Sequence, residues 1–143
     1  MTRSLLCLVV PVCWMSHSAA AAAPDSRLGA VAKEIRGLIG DVREATAEAT
    51  DHDKNLQEIC FRIGNLYQSA RYELQEIVDS KPKTHPAVTE LIADSKSLPS
   101  FCSDTKKTKA DGGHEHVPKG DLPRLEKELA NMDGRAKLLI EKL

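Results

Sequence analysis

Three groups of residues in this chain have types and spacings that could do chemistry. "DHDKN" sets Asp51, Asp53 and Asn55 in the D-x-D-x-N order that opens a calcium loop. Such a loop also needs glycine at its sixth position and a bidentate glutamate at its twelfth, and Leu56 and Arg62 stand there. No calcium site is expected. "GGHEHVP" puts His114 and His116 two residues apart, close enough to share a metal. A structural zinc site uses four ligands, and His52 and His85 are far along the chain. A solvated polar loop is the expectation, and Lys106, Lys107 and Lys109 read the same way. The third group is the cysteines.

No nucleophile elbow, phosphate loop or zinc-ligand spacing appears. The sequence therefore predicts no catalytic residue, no metal ligand and no cofactor.

The cysteines depend on the compartment. Arg3, the apolar run "LLCLVVPVCWM" and the small residues of "SHSAAAAAP" have the layout of a secretory signal peptide. Cleavage after Ala21, Ala22 or Ala23 would leave alanine at −1 and −3. The run is too short to span a bilayer, which takes about 20 apolar residues. Removing residues 1–23 takes away Cys7, Cys13 and Arg3. The remaining single domain, 24–143, is slightly more acidic than the full chain at −1, which argues against a nucleic-acid partner. It contains no stretch apolar enough to span a membrane, no N-x-S/T sequon and no lipid-anchor signal at "RAKLLIEKL". The expected location is secreted or cell-surface. Cys60 and Cys102 remain, and an even count in an oxidising compartment predicts a disulfide, with two separate buried thiols as the alternative.

The elements that would hold these residues are helices. Leu28, Val31, Ile35, Leu38, Val42, Ala45, Ala49, Leu56, Ile59, Ile63, Leu66, Ala70 and Ile77 alternate three and four apart. That is an a/d seam held for about seven heptads. It predicts one helix over about 26–80, roughly 80 Å long. Asp25 or Ser26 would cap its start, and Pro82 and Pro86 would stop it. His52 interrupts the seam next to small Ala45 and Ala49, which predicts a weak point in mid-helix. Gly29, Gly37, Gly40 and Gly64 would bend the helix or let a neighbour approach. A second helix is expected over about 86–98, with Pro86 at its first position and Pro99 ending it. A polar loop covers 103–120. A third helix over about 121–143 carries a second seam: Leu122, Leu125, Leu129, Met132, Ala136, Leu139 and Leu143. That seam reaches the last residue without a C-cap, as for a helix that continues.

If the chain reverses at 81–86, Cys60 lies about 30 Å back along the first helix. The second helix covers about 17 Å, and an extended Leu98–Cys102 adds up to about 16 Å. The two cysteines arrive level, Phe61 beside one and Phe101 beside the other. The expected architecture is an elongated all-α antiparallel coiled-coil hairpin or three-helix bundle, cross-braced by one disulfide. The third helix can lie on the seam from Leu28 to Ala49 or beside the second helix. Ile39, Leu74, Leu138 and Ile140 are then left poorly covered, which predicts self-association or a partner helix.

With a leader, a long heptad helix, a reversing turn and the helical cysteine of "LQEICFRIGNLYQSARYEL", residues 24–102 resemble the helical surface glycoproteins of trypanosomes, of the variant and invariant types. The resemblance implies a cell-surface bundle that binds a host factor or forms part of a coat. The chain departs from that plan in its short length, its lack of an anchor and its lack of a sequon. The alternative is a structural coiled-coil assembly module, a fragment of a larger surface protein.

Overall fold

The apolar stripe from Leu28 to Ala45 and the stripe from Leu56 to Ile77 do not run on as one line; they face each other. A computed structural model describes residues 24–49, 53–81, 83–104 and 115–142. Helix α1 covers Pro24–Ala47. Helix α2 covers Asp53–Gln68 and continues through a π-helical segment, Ser69–Glu73, into α3, Leu74–Ser80. Helix α4 is Pro86–Ser95, followed by a 3₁₀ turn at Leu98–Phe101. A two-residue antiparallel ladder pairs β1, Ser103–Asp104, with β2, Glu115–His116. A 3₁₀ turn, Lys119–Asp121, leads into α5, Leu122–Lys142.

Cross-helix partners set the directions. Arg62 reaches Glu44, Ser69 reaches Glu34 and Arg27 reaches Glu76. One number falls as the other rises, so α1 is antiparallel to the α2–α3 rod. Arg43 with Glu126 and Arg36 with Asp133 give the same sense for α1 and α5, one heptad apart. Arg135 with Glu90 and Asp94, and Arg124 over Phe101, give it for α4 and α5. α1 packs between the rod and α5, and α4 packs between the same two. Apart from the short ladder, the described residues form a helical bundle in which each helix is antiparallel to its neighbours.

The single 26–80 helix is therefore corrected. Its two halves form a hairpin, and the longest rod, 53–80, is roughly 42 Å. The seam is thinnest where α1 ends. Ala45 and Ala49 bury little area, and Thr46 Oγ1 donates to the Arg43 carbonyl at 2.8 Å. The Ala49 N–H donates to the Thr46 carbonyl at 3.3 Å, a three-residue bond that tightens the last turn. Folding back lets two strong stripes bury each other, at about 25 cal/mol per Å² of apolar surface. A straight rod would leave both needing other partners. The weak point expected at His52 lies outside the described residues, as does the leader, 1–23.

The other helices keep their places with shifted ends. α4 stops at Ser95 rather than near 98, and Pro99 sits in the 3₁₀ turn. α1 starts at Pro24, so Asp25 and Ser26 fall inside its first turn. α5 starts at Leu122, and Asp121 ends the preceding 3₁₀ turn, its N–H bonded to the Pro118 carbonyl at 2.8 Å. Part of the expected loop 103–120 is the ladder, and Val117 after it is fully buried, with its N–H on the Leu56 carbonyl. α5 takes both positions offered to it, against α1 and against α4.

That closure buries Ile39 and Leu74, which the hairpin plan left uncovered; Leu138 remains partly exposed and Ile140 half-buried. The core joins Ile35 and Val42 of α1, Ile59, Ile63 and Leu66 of α2, Leu91 of α4 and Leu129 and Met132 of α5. Burying each such side chain contributes about 1.5–3 kcal/mol. The exposed ion pairs contribute at most about 1 kcal/mol each, so burial holds the bundle and the pairs mark its register. A Cβ at Gly37, Gly40 or Gly64 would meet nothing within 4 Å, so no neighbour approaches these glycines closely. Among the described residues no helix is long and apolar enough to cross a membrane.

The hairpin has a direct test. Spin labels at Lys33→Cys and Gln75→Cys would be roughly 63 Å apart on one continuous helix. On adjacent helices with axes 8–10 Å apart, we expect a distance below about 30 Å. A distribution centred beyond about 50 Å would refute the reversal.

Candidate functional site

The described chemistry gathers on the side where α1 meets the α2–α3 rod. The π segment widens the rod there and turns Ser69 inward, to 7% exposure. Its Oγ lies 3.1 Å from Glu34 Oε1 on α1 and 3.1 Å from Glu73 Oε1 one turn along the rod. A serine hydroxyl carries one proton, so it donates to one carboxylate at a time. The two Oε1 atoms are no farther apart than twice 3.1 Å.

These residues line a groove of about 490 Å³ together with Leu38, Asn65, Gln68 and Tyr72. Tyr72 is 60% exposed and meets Tyr67 edge-on, ring centroids 6.1 Å apart at 77°. Phe61, on the same rod, is 67% exposed. An apolar ring normally ends in the core, and Phe101, its expected counterpart, does so at 1%.

Elsewhere carboxylates between helices are matched by arginine. Glu76, Asp133, Glu126, Glu44, Glu90 and Asp94 all pair with Arg27, Arg36, Arg43, Arg62 or Arg135. The Asp133 hydrogen bond raises the Arg36 guanidinium further above its ordinary value. Glu34 and Glu73 have no such cation among the described residues. Lys33 and Arg71 adjoin the groove in sequence and pair with neither carboxylate.

The sequence-predicted residues are distributed otherwise. Cys60 and Cys102 form the disulfide, Cα atoms 5.8 Å apart. It floors a smaller groove of about 280 Å³, lined by Ile63, Gly64, Tyr67 and Pro99. His85 caps α4: its Nδ1 accepts the Ala87 N–H at 3.1 Å, and Pro86 holds the first position as expected. His116 sits in β2 opposite Ser103. Asp53 and Asn55 lie in the first turn of α2. Asp51, His114, Lys106, Lys107 and Lys109 lie outside the described residues. Among the described residues no group of three or more His, Cys, Asp or Glu is placed to hold a metal ion.

The Glu34–Ser69–Glu73 cluster had no sequence signal of its own. Glu34 and Ser69 are 35 residues apart and meet only because the rod folds back. Searched against protein families, curated proteins and solved structures, the chain matches no family model, no curated protein and no solved structure.

Proposed function

We propose that this chain is a secreted or cell-surface helical-bundle module that binds a protein partner and catalyses nothing. Its leader and its disulfide support export, since such bonds persist in oxidising compartments. The coiled-coil seams supply a rigid rod, and the observation that carries a binding role is the exposed pair Phe61 and Tyr72 on its outer side. Aromatic rings are enriched where proteins dock, because they remove much apolar area from water. A host factor, as in the trypanosome surface glycoproteins this chain resembles, belongs to the same proposal. Self-assembly as a coat or scaffold element is the weaker reading, because of the four residues expected to drive it Ile39 and Leu74 are buried, and only Leu138 and the half-buried Ile140 remain at the surface.

The experiment is secretion of the full chain from a eukaryotic host, followed by proximity labelling on its surface. The expected product begins at residue 22, 23 or 24, has no free thiol and sediments as a monomer at micromolar concentration. Phe61→Ser with Tyr72→Ser should lose partners that the unchanged chain labels. Retention in the cytosol with free thiols would overturn export. An unchanged set of partners would overturn the face, and a dimer abolished by the two serines would replace partner binding by self-association.

A further inference from the structure

We draw no further inference here: the strongest candidate, the uncharged groove floored by the Cys60–Cys102 disulfide on the flank of the rod that carries Phe61 and Tyr72, adjoins the face already proposed for partner binding, and nothing in the structure shows what covers it.

Discussion

Replacing Cys60 and Cys102 together by alanine is expected to lower the unfolding free energy by about 4 kcal/mol. The bond closes a loop spanning 42 residues, and fixing its ends removes about that much chain entropy from the unfolded state. Alanine avoids burying a hydroxyl at position 60, which is 9% exposed. For a chain of this size the melting temperature should fall by roughly 10–20 °C. The denaturant slope should rise, because the unbraced unfolded chain exposes more surface. Reductant added to the unchanged protein should reproduce both effects. A loss below about 1 kcal/mol in chemical denaturation would mean that packing alone holds the ends together.

In the folded chain the brace holds more than two cysteines together. Cys102 lies between Phe101 and the β1–β2 ladder, and Val117 beyond the ladder plugs the core beside Leu56. The bond thus ties α2 to the whole return segment between α4 and α5. Near that tie the rod also carries Phe61, and farther along it carries Tyr72. The partner binding proposed for these rings calls for a stiff backing, and the disulfide and the closed core are placed to supply it.

The helices and the disulfide were legible in the sequence, and the reversal was not. An a/d stripe looks the same whether it faces another helix or its own continuation. Leu28 to Ala45 and Leu56 to Ile77 are buried as their spacing says, except that Leu38 is half-buried and Ile39 beside it takes the core position, but spacing has no sign for direction. The clue was the thinning at Ala45, Ala49 and His52, and it reads equally well as a soft point in a straight rod. The cysteine pairing is found although its axial argument took Leu98–Cys102 as extended, where the chain makes a 3₁₀ turn; the rest of that argument used only residues beyond the reversal. The exposure of Phe61 was not legible for a related reason. The sequence places Phe61 and Phe101 each beside one cysteine but does not say which ring is buried, and only Phe101 is. Ile39 and Leu74 seemed uncovered because a hairpin has two faces to fill and four packed helices have one shared interior. The groove could not be read at all: it needs Glu34 and Ser69 side by side, and only the unread reversal puts them there.

Phe101→Ala is expected to destabilise the bundle by about 3–5 kcal/mol, the range for removing a fully buried phenylalanine. The ring is 1% exposed and ends the 3₁₀ turn that precedes Cys102. Two contributions can be separated by a series. Phe101→Leu keeps most of the apolar volume and should lose less, about 1–2 kcal/mol, chiefly through imperfect packing. It also removes the ring beneath Arg124, a contact worth about 0.5–1 kcal/mol at an exposed site. Arg124→Met keeps an unbranched apolar stem over the ring and drops the charge, so it should cost about that last amount alone. In the Phe101→Leu background the same Arg124→Met change should cost nearly nothing, since no ring remains to hold the cation. Urea denaturation of the four proteins gives the coupling directly. A Phe101→Ala loss under about 1.5 kcal/mol would mean that the 3₁₀ turn closes over the cavity, and that the disulfide, not the ring, fixes this end of the bundle.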